Sequence, residues 1–378
     1  MTNFATLLPA YLSWLDDDVL TERLLETLMI TCSDRLTRTL HCLAAQDAYR
    51  AEQLQERIGR LPDDALVRML MAPEIGFRLG YHNSDAIGET ARFIEESLTA
   101  EEVRVGDRRP PDGPCWSALG DLCFSASPDG PYVAPRIGGI VIDFESPWVL
   151  CKLPHITGEA EAISPANRAT ALDRIGDAVR LMNMASVRAT VATRSFTQAI
   201  IIRSDPSRPD FYTSASTTLC LGRAVMRNPF VACATPSEVA DGLVHEAIHC
   251  ICDLTEIHDG RWLPGGRDVY HVKVASPWTE RQLDIHTYLQ ACWVWYGLWH
   301  FWARAIETDA IATDEGLRCL GRAFRGFVDG AAVARLAPHR TLIDPAVFGT
   351  LEEGQAVLLT RMKNWERDLN HALENLES

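Results

Sequence analysis

Two histidines one helical turn apart are the residues of this chain best suited to metal chemistry. His245, Glu246 and His249 form an H-E-x-x-H motif, which in a helix places both imidazoles on one face, where they can bind a single metal ion. Glu246 lies about 100° around the helix from His245. Its carboxylate is therefore better placed to hydrogen-bond a metal-bound water or a substrate than to ligate the same ion. The motif predicts a metalloenzyme.

The sequence around the motif predicts the helix that positions it. Thr235-Pro236-Ser237-Glu238 has the pattern of a capping box, with proline at the first helical position. Apolar residues then recur at helical spacing, namely Val239, Leu243, Ala247 and Ile251. We therefore expect one helix over residues 236–255, with both histidines on the same face.

A catalytic metal needs a further protein ligand beyond the two histidines. The metzincin extension is absent, because Cys252 and Thr255 stand where its glycine and third histidine would be. Glu280, with Asp284 four residues later, matches the E-x-x-x-D arrangement that supplies the third ligand from a following helix in thermolysin-like gluzincins. His286 is the third candidate. These residues alone leave open whether Glu280, Asp284 or His286 completes the metal site.

The surroundings of His286 allow two interpretations. His286 begins a predicted helix face that also contains Leu289, Trp293 and His300, and this stripe could close over the metal helix. A single histidine on an apolar face is by default a core residue. The segment that precedes His286 therefore decides between a ligand and a core side chain.

That segment resembles part of a bacterial family of HExxH-motif peptide-modification proteins. In the family, a Ser/Ala-Pro-Trp element, an arginine and a histidine that opens an aromatic helix follow the metal helix. The matching parts of this chain are Ser276-Pro277-Trp278, Arg281, His286, the aromatic helix 293–302, the upstream Thr213-Ser214-Ala215-Ser216 and the core of the motif helix. The resemblance covers about residues 200–305 and is weaker toward the N-terminus.

The resemblance implies a function in the biosynthesis of ribosomally made peptide natural products (RiPPs). Several members are understood as non-haem Fe(II), 2-oxoglutarate-dependent oxygenases that hydroxylate side-chain β-carbons. It also favours His286 over Glu280 as the third ligand, which gives a three-histidine shell instead of the usual two histidines and one carboxylate. Thr279 and Thr287 depart from the family, since they replace an arginine and a glycine.

Three further side chains are candidates for cosubstrate binding. Arg281 matches the family's arginine, and its planar guanidinium can bind the distal carboxylate of 2-oxoglutarate through two parallel hydrogen bonds. Alternatively, it forms a salt bridge with Glu280 or Asp284 on an exposed surface. Ser214 and Ser216 offer hydroxyls to the oxoacid or to the substrate, although serines in a strand often have no such function.

Other residues near the motif have simpler interpretations. His258 and His271 lie in a predicted loop region, where they can contact substrate but where histidines are usually solvated. Cys250 and Cys252 do not share the face of the two motif histidines, so we expect them to serve packing. The tryptophans of 293–302 point in too many directions to form one binding stripe, so most of them are expected in the core.

The composition describes a globular chain with an acidic surface. Of the 378 residues 47% are hydrophobic, which is enough for a large core, and the net charge of −15 argues against non-specific binding to nucleic acid or to anionic membranes. The eleven cysteines include no C-x-x-C pair and are expected to be reduced, mostly buried thiols. Residues 1–20 lack the pattern of a signal peptide, so a cytoplasmic location is expected.

The chain is expected to have an α+β fold that is predominantly helical with a small β-sheet. Residues 5–104 are predicted to be mostly helical, with a turn at 82–85, and the proline-rich 108–114 suggests a boundary between an N-terminal helical region, 1–110, and a metal-binding region, 111–378. The remaining predictions are strands at 139–144 and 199–203 with a helix around 172–182 between them, an extended segment at 213–221, and helices at 281–306 and 351–376. The metal is predicted to lie between the helices 236–255 and 281–306.

The sequence therefore predicts an Fe(II), 2-oxoglutarate-dependent oxygenase that hydroxylates a side-chain carbon. His245, His249 and His286 would hold the metal, and Glu246 would hold water, ligand or substrate by hydrogen bonding. Its substrate would be a residue of a peptide, with or without a leader, or a carrier-bound or free amino acid. The alternative is a zinc peptidase in which Glu246 is the general base and Glu280 the third ligand. A module that only binds a peptide or a carrier protein is disfavoured by the intact motif.

Overall fold

The structure is a computed structural model that describes residues 3–15, 19–80, 87–124, 130–150 and 161–376, with side chains up to residue 364. The α-helices are α1 Leu8–Tyr11, α2 Val19–Ala44, α3 Ala48–Arg60, α4 Asp63–Leu70, α5 Pro73–Gly80, α6 Ile87–Arg104, α7 Pro165–Ala185, α8 Val187–Phe196, α9 Pro236–Asp259, α10 Ile285–Glu307, α11 Thr313–Phe324, α12 Ala331–Ala334 and α13 Pro345–Leu376. The strands are β1 Cys115–Trp116, β2 Leu122–Phe124, β3 Tyr132–Val133, β4 Arg136–Ile137, β5 Ile140–Asp143, β6 Ala199–Arg203, β7 Thr213–Ala215, β8 Arg223–Arg227, β9 Lys273–Ala275 and β10 Gln282–Asp284.

Helices dominate and the sheets are small, so the predicted α+β class is confirmed. The predicted helical stretch 5–104 is also confirmed, because α1 to α6 occupy most of its described part. The turn predicted at 82–85 lies outside the described residues. Among the described helices, none combines the length and the apolar composition needed to cross a membrane.

Two compact units make up the chain. Unit one comprises the ranges 1–20, 182–189 and 254–378, and unit two comprises 21–181 and 190–253. Both are discontinuous in sequence, and residue 110 lies inside unit two. The division predicted at that residue stays a prediction.

A five-stranded sheet forms the centre of unit two. Its strand order is β4-β5-β6-β8-β7, in which β5, β6 and β8 run parallel while the two edge strands are antiparallel to their neighbours. Every residue of β5 and β6 is buried, which explains their nearly continuous runs of β-branched residues. The strands predicted at 139–144 and 199–203 are confirmed. Of the segment predicted as extended, only Thr213–Ala215 forms a strand, and it is the edge strand β7.

The motif helix α9 begins where the capping box predicts. Pro236 is its first residue, and the backbone N–H of Glu238 donates to Thr235 Oγ1 at 3.3 Å, which is the expected N-terminal capping bond. The helix continues to Asp259, about one turn beyond the predicted end at 255. Residues 236–253 belong to unit two and 254–259 to unit one.

The helix predicted at 281–306 begins later than expected. Residues 282–284 form strand β10, which pairs with β9, so the prediction was wrong for the first four residues. Asp284 ends the strand and caps α10, since its carboxylate accepts from the backbone N–H of Thr287 at 2.9 Å. The rest of the predicted helix is confirmed, since α10 spans 285–307. The side chains of Trp293, Trp299 and Trp302 are buried as predicted, whereas Trp295 is half-buried.

The last helix also differs from its predicted start. α13 begins at Pro345 instead of 351, because Asp344 precedes it and accepts from the backbone N–H of Ala346 at 2.9 Å. The expected mostly buried cysteines are confirmed for the described part of the chain, where eight of ten are buried. Cys151 lies outside that part.

Candidate metal centre

His245 and His249 lie one turn apart on α9 and direct their rings to a common point. The distance between their Nε2 atoms is 3.2 Å. Two imidazole nitrogens bound at about 2.0–2.1 Å to one tetrahedral metal ion would be separated by roughly 3.4 Å, and a 90° angle at the metal would bring them to about 2.9–3.0 Å. The observed spacing lies between these values. Both side chains are half-buried, so the donor atoms fit a metal ion that is open to further ligands.

Glu246 completes the compact group at the motif. One ligand atom from each of His245, Glu246 and His249 lies within 4.8 Å of the others, and in the described part of the chain this is the group of three such residues that could hold an ion. The Glu246 side chain is buried, with 4% exposure, and its Oε1 accepts a hydrogen bond from Ser214 Oγ at 2.7 Å. The carboxylate is therefore held in one orientation beside the two imidazoles.

The edge strand β7 supplies the hydroxyl that holds Glu246. Ser214 is the middle residue of β7 and pairs with Met226 of β8, so the sheet fixes its backbone. Ser216, just beyond the strand, lines a narrow cavity together with Glu246 and Cys250. The structure thus brings Ser214 and Ser216 to the side of the motif that carries Glu246. Their binding of a cosubstrate stays a prediction.

Tyr212 and Gly242, which were not predicted from the sequence as site residues, lie beside Ser214. The hydroxyl of Tyr212 is buried and has no hydrogen-bond partner among the residues that the structure describes. It lies over Gly242, because a Cβ atom placed on that glycine would be 2.7 Å from the Tyr212 oxygen and 2.9 Å from Ser214 Oγ. Leaving a buried hydroxyl without a partner costs about 1–3 kcal/mol, so a bound acceptor at this place would be favourable.

The electrostatic surroundings keep that hydroxyl protonated. Burial raises the pKa of Tyr212 well above its usual range, and the nearby carboxylates of Glu246, Asp241 and Glu238 raise the same pKa further. The side chain is therefore a hydrogen-bond donor at neutral pH. Burial also raises the pKa of the Cys250 thiol to about 12, which agrees with the packing function expected for it.

His286 lies in unit one, at the second position of α10. Its side chain is buried, its Nε2 lies 2.7 Å from Glu256 Oε2, and its ring stacks on Tyr270 with centroids 5.0 Å apart. Glu256 is seven residues beyond His249 in the sequence. His286 as the third metal ligand stays a prediction.

The other ligand candidates lie in the β9–β10 hairpin. Glu280 is exposed and has a positive φ of 60° in the turn, which is closed by a 2.8 Å bond from the Ser276 N–H to the Arg281 carbonyl oxygen. The following helix that a gluzincin-type ligand requires is therefore absent at Glu280, because the described residues 276–281 form this turn. Asp284 is engaged in capping α10. Arg281 is exposed, and its binding of 2-oxoglutarate stays a prediction.

The remaining histidines of this region have local partners. His258 stacks on Phe4 with ring centroids 3.6 Å apart, and the Nδ1 of His271 lies 2.7 Å from the Asp268 carbonyl oxygen. His300, which shares the predicted stripe with His286, is buried, and its Nδ1 lies 2.9 Å from a guanidinium nitrogen of Arg361. Burial and this arginine lower the pKa of His300 to about 3, so its ring is neutral and part of the core.

Comparison with known proteins assigns no function to this site. No protein-family model matches the chain, and no curated protein matches it either. The resemblance to HExxH-motif peptide-modification proteins therefore stays a prediction from the motifs themselves.

Proposed function

We propose that this chain is a metal-dependent enzyme that holds its metal through His245 and His249, and that it is a non-haem Fe(II), 2-oxoglutarate-dependent oxygenase. The observation that carries the metal function is the 3.2 Å spacing of the two Nε2 atoms beside the buried, hydrogen-bonded carboxylate of Glu246. Imidazole donors suit iron and zinc alike. The choice of iron is supported by the resemblance over residues 200–305.

In the proposed oxygenase, the residues of this chain bind, orient and shield the reactants. Bound iron, together with 2-oxoglutarate and O₂, would supply the oxidising power to hydroxylate a side-chain carbon, such as a β-carbon. His245 and His249 would hold the ion. Glu246, fixed by Ser214, would hold a water, ligand or substrate by a hydrogen bond, since hydroxylation needs no general base.

A third protein ligand from His286 is part of this proposal. Metal-binding histidines almost always donate their other ring N–H to a carboxylate, a backbone carbonyl or a water, which fixes the ring and its tautomer. Glu256 is such a carboxylate for the Nε2 of His286. A metal bound by His286 would then be bound through the Nδ1 of the same ring. The structure gives Glu280 no comparable support, since its side chain is exposed in a turn.

We expect protein reconstituted anaerobically with Fe(II) to consume 2-oxoglutarate and to release succinate once O₂ is admitted. Zinc should inhibit this reaction, because it competes for the same imidazoles and cannot be oxidised. Succinate is measured at fixed times with and without each metal. The proposal fails if iron supports no succinate formation while zinc supports the cleavage of peptides.

We expect His286→Ala to abolish iron binding and Glu280→Gln to leave most of it. The first change removes a proposed ligand, whereas the second removes the charge of an exposed turn residue. Calorimetric titration of each metal-free variant with Fe(II) under argon gives the affinities. The reverse ranking would transfer the third-ligand function to Glu280 and would favour the zinc peptidase.

A zinc-dependent peptidase is the second candidate, because Glu246 also meets the first requirement of a hydrolase. Its carboxylate lies within 4.8 Å of the histidine nitrogens, which is where a general base takes a proton from a metal-bound water. In this candidate Glu280 would be the third ligand. Its exposed position in a hairpin turn makes this the weaker of the two proposals.

The substrate and the cellular context belong to the same proposal. We propose that the substrate is an amino-acid residue of a peptide or a carrier-bound or free amino acid of a RiPP-type natural-product pathway, and that the protein acts in the cytoplasm. The net charge of −15 makes nucleic acid an unfavourable partner.

A further inference from the structure

We infer that Tyr212 is a substrate-binding residue of the metal centre, whose hydroxyl donates a hydrogen bond to a carbonyl oxygen of the bound substrate. This inference rests on the proposed metal function. It adds to that function a binding group and a chemical class of ligand, and it holds for an oxygenase and for a peptidase alike. Its starting point is the buried Tyr212 hydroxyl, for which the described residues offer no acceptor.

The Tyr212 hydroxyl lies over the turn of α9 that precedes the motif. Gly242 lies three residues before His245 and four before Glu246, so all three share one side of the helix in adjacent turns. Helical side chains lean toward the N-terminus, so those of His245 and Glu246 lean toward the turn that contains Gly242. The Tyr212 oxygen lies over that same turn, 2.7 Å from the place of a Cβ atom on Gly242.

The glycine itself indicates that the space is needed. Glycine inside a helix is less favourable than alanine, yet Gly242 stands in the second turn of the motif helix with helical backbone on both sides. The absence of a Cβ atom leaves room for the Tyr212 hydroxyl and for Ser214 Oγ, which in turn holds Glu246. Gly242 thus leaves space for both hydroxyl groups beside the motif.

The charges around the hydroxyl favour a neutral acceptor. The carboxylates of Glu238, Asp241 and Glu246 all lie close enough to act electrostatically on Tyr212. A further carboxylate at this place would be repelled by them, whereas the carbonyl oxygen of a peptide or amide carries no net charge. The arrangement therefore fits the carbonyl group of a peptide-like substrate better than the free carboxylate of an oxoacid.

The test uses the full-length protein loaded with Co(II), whose visible spectrum reports ligand binding, and acetohydroxamic acid as a metal-binding probe with a carbonyl oxygen. We expect Tyr212→Phe to weaken acetohydroxamic acid binding by about fivefold to tenfold, the effect of one lost hydrogen bond. Co(II) affinity should stay within twofold. Binding of imidazole, a metal ligand without an oxygen acceptor, should also stay within twofold.

Thermal unfolding of the metal-free protein separates binding from a structural function. Tyr212→Phe should leave the melting temperature unchanged or raise it, because it removes a buried hydroxyl for which the described residues offer no acceptor. Tyr288→Phe is the matched control, since the buried Tyr288 hydroxyl donates to the Ala332 carbonyl oxygen at 2.9 Å. This control should lower the melting temperature by roughly one to three degrees and should not change probe binding.

A second variant tests the geometry at Gly242. Alanine in a helix interior ordinarily raises stability relative to glycine, but a methyl group here would meet the Tyr212 oxygen at 2.7 Å. We expect Gly242→Ala to lower the melting temperature and to weaken acetohydroxamic acid binding by at least the same factor as Tyr212→Phe. The double variant Tyr212→Phe/Gly242→Ala should regain part of the lost melting temperature, because it lacks the Tyr212 oxygen, which is the atom nearest to the added methyl group.

The outcomes distinguish this inference from the proposed function. A wild-type protein that binds no Co(II) would overturn the metal function and this inference with it. Bound Co(II) with equal acetohydroxamic acid affinity in wild type and Tyr212→Phe would overturn the inference alone. So would a fall in melting temperature for Tyr212→Phe as large as that of Tyr288→Phe, because the hydroxyl would then be a structural group.

Discussion

Replacement of His249 by alanine is expected to lower metal affinity by on the order of a thousandfold or more and to remove all metal-dependent turnover. Groups that only orient a ligand typically contribute 10- to 100-fold to metal affinity, so the loss of a ligand nitrogen should exceed that range. His245→Ala should have the same effect, because the two Nε2 atoms lie 3.2 Å apart and would bind the same ion. Metal content after dialysis and calorimetric titration give the two affinities.

His258→Ala is the matched control for these variants. His258 lies on the same helix but stacks on Phe4 at 3.6 Å and has Asp259 Oδ1 2.9 Å from its Nδ1. Its replacement should lower stability by about 1 kcal/mol through the lost ring contact and leave metal affinity unchanged. A His249→Ala protein that binds metal as tightly as the wild type would show that the motif is an ordinary helix surface, and the proposed function would have no basis.

The motif helix could be predicted from the sequence because its signals are local. Proline at the first position, Thr235 as the capping residue and the apolar spacing after Val239 all act within a few residues, and α9 begins at Pro236 as they indicate. The same is true of the buried strands β5 and β6, whose runs of β-branched residues follow from burial on both faces.

Features that depend on distant residues could not be predicted in the same way. The Gln282–Asp284 strand exists because it pairs with Lys273–Ala275, and a short segment that precedes a strongly apolar helix carries no local sign of that pairing. The helix predicted over 281–284 is therefore wrong. The bond between Ser214 and Glu246 joins residues 32 positions apart and depends on the position of an edge strand.

Gly242 is a local sign, in the sequence, of a contact with a distant residue. Gly242 lies three residues before His245, inside the motif helix. By intrinsic helix propensity, glycine at such a position is less stable than alanine. That local cost indicates that some other group needs the space of a side chain. The identity of that group, the hydroxyl of Tyr212, could come only from the three-dimensional arrangement.

Glu246→Gln separates the two proposed mechanisms, because a hydrolase needs the carboxylate to take a proton from water and an oxygenase does not. Glutamine has nearly the same shape, and its amide oxygen can still accept the hydrogen bond that Ser214 Oγ now donates at 2.7 Å. The change therefore removes basicity with little change in geometry. In an oxygenase we expect retained iron and a loss of turnover no greater than about 10- to 100-fold. A peptidase should lose about 10²- to 10⁴-fold or more.

Ser214→Ala resolves the overlap between these two ranges. It leaves the carboxylate and its basicity in place but removes the hydroxyl that orients it. If Glu246 only orients water, ligand or substrate, both variants disturb the same hydrogen-bonded group, and their losses in succinate formation should agree within about tenfold. If Glu246 is a general base, Glu246→Gln should be far more damaging than Ser214→Ala, since a misplaced base still accepts protons. A metal-loaded Glu246→Gln protein without any turnover, beside an active Ser214→Ala protein, would therefore contradict the oxygenase and favour the zinc peptidase.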